Sequence, residues 1–262
     1  MRRSSVILGA FLLAISGAGA AAQEAGAVAG CDGLPTAGQL RDLLQAAAVP
    51  ANPALSAGLR QGPGGVGGLF NGTRMWAAAV NRDARLCAFA TSTGDPSQVW
   101  PGSQQIAKAK AYTANAFSLD FAEGGFPLST AQLYTFVQPG HSLYGLNQSN
   151  PFEPEFLAPP GGPGGGRGDV AGGIITFGGG VALYQNRRIV GGLGVSGDTA
   201  CTDHEIAKRV RDLAHLNPNG RPLVDDITYS TADGASAFTH PLCPNTYRNG
   251  VFVGNELPAT GY

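Results

Sequence analysis

The chain has 262 residues, 43% of them hydrophobic, which is enough to build the core of one large domain or two small ones. Charged residues make up only 13% and the net charge is −1, which excludes nucleic-acid binding through many cationic contacts to phosphate. The 40 glycines and 18 prolines together stay below the roughly 25–30% that is typical of a disordered low-complexity chain. The composition therefore predicts a folded protein with long loops.

The first residues have the pattern of an export signal. Arg2 and Arg3 give a positive start, an apolar run covers Val6–Ile15, and small residues follow it in A-x-A arrangements that end at Ala22. This pattern predicts a signal peptide over residues 1–22 and a periplasmic or secreted protein. No later stretch approaches the roughly 20 apolar residues of a membrane-spanning helix, so we expect no membrane insertion.

The four cysteines all follow the predicted cleavage point: Cys31, Cys87, Cys201 and Cys243. In an oxidising compartment their thiols pair, and three connectivities are possible. We favour Cys31 with Cys87 and Cys201 with Cys243, because each bridge then ties a terminal segment to the folded body. The sequence contains no C-x-x-C pair, which argues against a zinc site built from these cysteines and excludes covalent haem attachment.

The first half of the chain contains the patterns of two helices and a hairpin. Apolar residues recur at helical spacing from Thr36, a suitable N-cap, to Pro50. Residues 74–81 and 85–91 are predicted to be the two strands of a hairpin. The segment Ser103–Ser118 is predicted to be an amphipathic helix.

The middle of the chain is predicted to be less regular. A shorter helix is expected over residues 129–137, followed by a loop rich in glycine and proline over residues 138–173. Regular structure resumes with a second hairpin, whose strands are predicted over 180–184 and 189–195.

The last predicted helix begins near Thr199 and ends near Leu216. Thr202 and Glu205 have the spacing of a capping box. One further strand is predicted over residues 223–229, in a C-terminal extension that otherwise consists of loops.

The order of hairpins and helices predicts the fold class. An antiparallel sheet flanked by helices gives one α+β domain, which we place over residues 31–216. Residues 217–262 then form the C-terminal extension.

The segment Gly192–Gly197 fits the G-x-G-x-x-G pattern, and Ser196 within it resembles the serine of a hydrolase nucleophile elbow. A dinucleotide site needs a parallel βαβ unit, whereas the strand before Gly197 belongs to a hairpin. The elbow also needs a second glycine where this chain has Asp198. The simpler interpretation is that the glycines permit a tight turn from strand to helix.

The chain has four histidines: His141, His204, His215 and His240. His204 lies near the start of the last predicted helix, whose dipole disfavours the imidazolium and leaves a neutral imidazole able to bind iron. His204 follows Cys201 by three residues, and His240 precedes Cys243 by three. A Cys201–Cys243 bridge would therefore bring both imidazoles to one neighbourhood.

Several motifs together carry a resemblance to a known family. They are Trp100–Ser103, Lys110–Ala114, Gly179–Tyr184, Val190–Gly197 and Asp203–Glu205. Over about residues 74–216 the chain resembles the GlcG/HbpS-type haem-binding domain family. The resemblance implies a profilin-like fold, an antiparallel sheet flanked by helices. It also implies haem or tetrapyrrole binding, as in some members, and frequent assembly as homo-oligomers.

We therefore expect an exported, non-catalytic protein that binds or sequesters haem non-covalently, in an apolar crevice beside the glycine-rich hairpin. His204 is the first candidate for the axial ligand and His240 the second. Lys110 or Arg74 would pair with the haem propionates, and Thr113 would touch the haem face. A secreted interaction or structural module without a cofactor is the second hypothesis, and a small-molecule hydrolase using the serine named above is the third.

Overall fold

The computed structural model describes residues 28–120, 127–152 and 169–258. The predicted signal peptide lies outside the described residues, as does the Gly/Pro tract over residues 159–166. Within the described ranges, no helix has the length and apolar character needed to cross a membrane.

A four-stranded antiparallel sheet forms the centre of the fold. Its strands are β1 (Trp76–Asn81), β2 (Leu86–Thr91), β3 (Gly180–Gln185) and β4 (Arg188–Ser196). They lie in the order β2-β1-β4-β3, so the two predicted hairpins are confirmed and join side by side through β1 and β4. Nearly every strand residue is buried, which means that both faces of the sheet are covered.

Three helices cover the two faces of the sheet. They are α1 (Ala37–Ala47), α2 (Ser103–Ala116) and α3 (Ala200–Leu213). Helix α2 packs on β1, β3 and β4 from one side, whereas α1 and α3 pack against each other and against the opposite face. The predicted fold class, an antiparallel sheet flanked by helices in one α+β domain, is confirmed.

The alternation of side chains along β1 explains how one strand serves two cores. Successive strand residues point to opposite faces of a sheet. Ala77 and Ala79 accordingly lie in the core that α1 and α3 share, whereas Trp76, Ala78 and Val80 lie in the core beneath α2.

The helix starts follow from their capping residues. Thr36 caps α1 through the capping box that it forms with Gln39, as the sequence predicts for this N-cap. Helix α3 begins near Thr199, as the sequence predicts. The predicted capping box of Thr202 and Glu205 is wrong, because Thr199 is the N-cap and its side chain accepts the Thr202 amide. The hydroxyl of Thr202 instead donates to the Val66 carbonyl at 3.2 Å.

Two further local predictions differ from the structure. The helix expected over residues 129–137 consists of two short 3-10 turns, Thr130–Leu133 and Thr135–Val137. The strand expected over residues 223–229 is reduced to its last two residues, β5 (Thr228–Tyr229). Both segments lie against α2, β3 or α3 through side chains, so tertiary packing decides their conformation.

Both disulfide bonds connect the residues that the sequence favours. Cys31–Cys87 joins the start of the described chain to β2, and Cys201–Cys243 joins the first turn of α3 to the C-terminal segment. The predicted connectivity is therefore confirmed.

The C-terminal segment, defined here as residues 217–258, runs over the outer side of α3. Its elements after β5 are α4 (Ser230–Asp233), β6 (Thr239–His240), β7 (Thr246–Arg248) and β8 (Val251–Gly254). β5 and β6 pair in parallel, and β7 and β8 form a short antiparallel hairpin. This segment supplies the fourth layer that covers α3.

Candidate functional site

Helix α3 is buried around its whole circumference. Every residue from Cys201 to Asp212 is buried, although six of the twelve carry an ionisable acidic or basic side chain other than histidine. The sheet and α1 cover one side of the helix and the C-terminal segment covers the other. Buried charges are costly unless they are paired, so the partners of these side chains define the local chemistry.

Two basic residues of α3 are paired with acids across the interface with the C-terminal segment. Lys208 contacts Glu205 at 2.6 Å on its own helix and also contacts Asp226. Arg211 forms a two-pronged ion pair with Asp225, at 2.6 and 2.7 Å. These charge-assisted hydrogen bonds hold the segment against the helix.

A further buried ion pair links α3 to α2 past the end of β4. The ammonium of Lys110 donates to Asp203 at 2.7 Å and to the Val195 carbonyl at 3.0 Å. Burial raises the pKa of Asp203 to about 6, although the positive charge of Lys110 opposes the rise. Asp203 also accepts the backbone amide of Asp198 at 2.9 Å, which fixes the turn into α3.

The two histidines that the sequence singles out lie on either side of Gly178. The amide of Gly178 donates to Nε2 of His240 at 3.3 Å, and a Cβ added at Gly178 would lie 3.1 Å from the Cβ of His204. Nδ1 of His240 donates to the Pro241 carbonyl at 2.7 Å, since that oxygen can only accept. The structure therefore brings both predicted ligands together.

His204 is a buried imidazole without a hydrogen-bond partner among the described residues. Neither ring nitrogen is satisfied, and the carboxylate of Asp226 lies 4.0 Å from Nε2. Burial, and after it the positive charges of Lys208 and Arg211, hold the pKa of His204 well below 6.5. The ring is consequently neutral and keeps a free lone pair, the form in which imidazole binds a metal.

The other predicted binding residues occupy different environments. Thr113 lies on α2, where its hydroxyl donates to the Ala109 carbonyl at 2.8 Å and accepts the Ile175 amide at 3.0 Å. Arg74 is exposed, and its guanidinium lies 4.8 Å from the centre of the Phe70 ring. Lys110 and Thr113 are therefore interior residues, whereas Arg74 is at the surface.

The glycines of β4 do not shape a crevice. A Cβ at Gly192 would lie 2.2 Å from the Ala111 carbonyl, and one at Gly194 would lie 2.0 Å from the Ala107 carbonyl. These positions let the backbone of α2 approach the sheet, so the crevice expected beside this hairpin is wrong. Because β4 is antiparallel to both neighbouring strands, the structure also lacks the parallel unit that a dinucleotide site needs at this motif.

Ser196 is the last residue of β4 and is 3% exposed. It lies opposite Trp76 in the antiparallel sheet. A nucleophile elbow presents its serine at the top of a doubly wound sheet, which this architecture does not contain in its described residues.

One cavity among the described residues has no usual iron-binding side chain in its lining. A cavity of about 550 Å³ opens between α1 and the end of α3, with apolar walls formed by Leu34, Leu43, Leu213 and Leu216. Its remaining lining residues include Gln39 and Asp42 but no histidine, cysteine, methionine or tyrosine. The imidazole of His204 thus has the chemistry to bind the iron of haem. The space around that ring, however, is filled by other residues of the protein.

Sequence reasoning missed the acids that meet α3 from the C-terminal segment. Asp225 and Asp226 lie 14 and 18 residues beyond their partners Arg211 and Lys208, so no helical spacing connects them. It also missed Asp198, whose carboxylate accepts the amides of Leu69 and Phe70 at 2.6 and 2.8 Å. Only its position just before the N-cap of α3 marked Asp198 as a turn residue.

Part of this chain is similar in sequence to a known protein. A relative, the corrinoid adenosyltransferase PduO of Salmonella typhimurium, is 32% identical over 106 residues, which is 40% of this chain and 23% of the relative. This chain therefore spans less than a quarter of that protein's length.

Two similar solved structures are less than 25% identical in sequence to this chain. The PduOC:heme complex is 24% identical, with a TM-score of 0.42, over 68% of this chain and 94% of that one. The protein ORFY of Klebsiella pneumoniae, of the DUF336 family, is 23% identical, with a TM-score of 0.40, over 55% and 77% of the two chains.

The family model described as "Haem degrading protein HbpS-like" matches residues 70–212. This match covers more than half of the chain, from the loop before β1 to the end of α3. It includes His204 and the Lys110–Asp203 pair, and it ends before His240. The resemblance seen in the sequence motifs is thereby confirmed, and the chain belongs to the HbpS-like family.

Proposed function

We propose that this protein is exported and binds haem non-covalently, with His204 as the axial ligand of the iron and without catalysing a reaction. The observation that carries the proposal is the state of His204, a neutral buried imidazole with two unsatisfied nitrogens. The family assignment supports it, because His204 lies within the matched residues whereas His240 does not.

The proposal requires a movement of the C-terminal segment. His204 is fully buried, and its Nε2 faces Asp226 of that segment. Haem can reach the ring only when this part of the segment separates from α3. Bound haem would supply an iron centre, while the chain would supply the imidazole and the apolar surroundings.

Roles for the remaining predicted residues follow from their positions. Arg74 is exposed and free to meet a propionate at the surface. Lys110 would have to leave Asp203 to do the same, and Thr113 would have to exchange one of its backbone hydrogen bonds for a contact with the haem face. Arg74 is therefore the better propionate partner of the two cations.

Export is supported by the N-terminal pattern of the sequence and by two disulfide bonds, which persist in oxidising compartments. Assembly as homo-oligomers belongs to the same proposal and is measured by light scattering of the purified protein with and without haem.

The test is a titration of the purified protein with hemin, followed by the Soret band. We expect a shifted band that saturates at one haem per chain, is lost in His204→Ala and persists in His141→Ala, whose histidine is exposed. Added imidazole should restore the band in His204→Ala by entering the space that the ring leaves. An unshifted band in the wild type, or an unchanged band in His204→Ala, would contradict the proposal.

Haem degradation is the second candidate function, because the matched family carries that description. The two candidates differ in what happens after binding. If the protein only binds haem, the Soret band should remain stable when a mild reductant and oxygen are supplied. Loss of the band with release of iron, faster than for free hemin and dependent on His204, would favour degradation.

A further inference from the structure

A second cluster of donor atoms lies at the start of α3, separate from the ring of His204. Ligand atoms of Cys201, His240 and Cys243 all lie within 4.8 Å of one another, and all three residues are buried. In the described state the two sulfur atoms form a disulfide bond. The sequence already predicts that His240 lies near a Cys201–Cys243 bridge, but without a C-x-x-C pair it does not indicate a metal site, because the two cysteines are 42 residues apart.

His240 is oriented as metal-binding histidines commonly are. Its Nδ1–H donates to the Pro241 carbonyl at 2.7 Å, which leaves the lone pair on Nε2. A backbone carbonyl on the far nitrogen fixes the tautomer and aims the ring in many metal sites. Among the described residues, the hydrogen-bond partner of Nε2 is the Gly178 amide, at 3.3 Å.

The sulfur of Cys243 already receives a hydrogen bond from the helix start. The backbone amide of Cys201, in the first turn of α3, donates to Sγ of Cys243 at 3.1 Å. An amide donor and a helix N-terminus both stabilise a thiolate over a thiol. These two features favour the ionised sulfur that metals bind, whereas the apolar cluster around both cysteines opposes it.

We propose that, when the Cys201–Cys243 bond is reduced, the two thiolates and the His240 imidazole bind one thiophilic cation of the Zn²⁺ or Cu⁺ class. A thiol or phosphine reductant gives up two electrons and becomes a disulfide or, with oxygen from water, a phosphine oxide. The S–S bond breaks, and each sulfur takes up one proton to become a thiol. The cation then replaces those two protons. Thiolate and imidazole are the ligands that these ions prefer.

The required rearrangement is small. A tetrahedral zinc ion with bonds of about 2.3 Å to sulfur and about 2.0 Å to nitrogen holds its ligand atoms roughly 3.5–4 Å apart. The sulfurs must separate after reduction, while one ring nitrogen of His240 is already within 4.8 Å of both. A fourth position would remain for water, as in zinc sites that keep an open ligand position.

The cluster also has a short path to solvent. Pro241 and Pro244, which flank Cys243 in the chain, are exposed. The site is thus covered on that side by one stretch of the C-terminal segment. This metal site uses His240, which is also the second candidate for the axial ligand of haem. It does not use His204, so it goes beyond the proposed function.

The experiment uses the full-length protein, reduced with a phosphine, which becomes a phosphine oxide with oxygen taken from water. The reductant is then removed under anaerobic conditions. Titration with Co²⁺, a spectroscopic substitute for Zn²⁺, should give one equivalent with intense thiolate-to-cobalt charge-transfer absorption. The oxidised protein should show none. Zn²⁺ should displace Co²⁺ and bleach the absorption.

Three variants locate the site. Cys201→Ser with Cys243→Ser, which retains the other two cysteines, should lose the absorption, and His240→Gln should weaken binding by at least tenfold. His204→Ala should bind Co²⁺ as the wild type does, so failure of haem binding and failure of this proposal remain distinguishable. Equal binding by the double serine variant would overturn the proposal.

X-ray absorption of the zinc-loaded wild-type protein tests the site without any substitution. We expect two sulfur ligands and one imidazole nitrogen. A coordination sphere without sulfur, or no binding by the reduced wild type, would refute the proposal even if every variant failed to fold.

Discussion

At the scale of single residues, the two buried imidazoles are the most informative groups. The sequence predicts a neutral His204 from the dipole of its helix, and the pKa of the buried ring is lowered well below 6.5, which favours the same neutral form. The larger cause, however, is burial, with Lys208 and Arg211 adding to it. The same cause lowers the pKa of His240 to about 4. The ring of His204 is buried in part by the C-terminal segment, which follows the helix in the chain. The pattern of the helix alone could therefore not indicate this burial.

These shifted histidines predict how stability depends on pH. The unfolded pKa of histidine is 6.5 and the folded value for His240 is about 4, so its contribution is complete above pH 6.5 and is lost as the pH falls toward 4. Two and a half pKa units correspond to roughly 3 kcal/mol. His204 acts in the same direction, and Asp203 partly offsets both because its pKa is raised.

The measurement is urea unfolding between neutral pH and about pH 4.5, inside the window set by the two pKa values. The free energy of unfolding should fall with pH in the wild type and in His141→Gln. In His240→Gln it should fall by a clearly smaller amount. An unchanged slope in His240→Gln would show that its burial does not control the pH response.

At the scale of elements, local signals predict the helices and hairpins, while their contacts come from the fold. The N-cap Thr36, the spacing of apolar residues in α2 and the turn residues at 81–84 and 185–188 are short-range features, and all of them appear in the structure. The pairing of β1 with β4 joins residues more than a hundred positions apart, so no local pattern indicates it. The sequence therefore predicts a strand-to-helix turn and a neighbouring crevice at the glycines of β4, whereas in the structure Gly192 and Gly194 allow the close approach of α2.

The packing of α2 on β4 predicts a large effect of a single methyl group. In Gly194→Ala the new Cβ would meet the Ala107 carbonyl and the Ala111 amide, at 2.0 and 2.4 Å, and neither backbone group can yield without moving α2. We expect a loss of about 1–3 kcal/mol or more in the free energy of unfolding.

Gly38→Ala is the matched control, because Gly38 lies in α1 with nothing within 4 Å of the added Cβ. This change should be neutral or should stabilise the helix by up to about 1 kcal/mol. Urea unfolding of both variants compares the two. Similar effects at the two positions would mean that close approach of α2 is not what requires glycine in β4.

At the scale of the whole molecule, the two disulfide bonds secure opposite ends of the described chain. Cys31–Cys87 fixes the N-terminal end to the sheet, and Cys201–Cys243 fixes the C-terminal segment to α3. Sequence reasoning reached this pairing from the positions of the cysteines. It could not place Asp225 and Asp226 on α3, because their partners are determined by how the segment folds back.

Removing one disulfide bond at a time should show which end of the described chain each bond holds in place. The bridges span 56 and 42 residues, so chain entropy predicts a similar loss of roughly 4 kcal/mol for either double alanine variant. Only Cys201→Ala with Cys243→Ala should speed amide hydrogen exchange within residues 217–258. Faster exchange there in the Cys31→Ala, Cys87→Ala variant as well would contradict this division.

The charged outer side of α3 also matters while the chain is being synthesised. A ribosome releases the sheet and all three long helices before it releases the segment that covers α3. During that interval Glu205, Lys208 and Arg211 would face water, which suits ionic side chains far better than an exposed apolar surface would. With ionic side chains on this face, α3 exposes little apolar surface there until residues 217–258 follow and turn the surface into an interior.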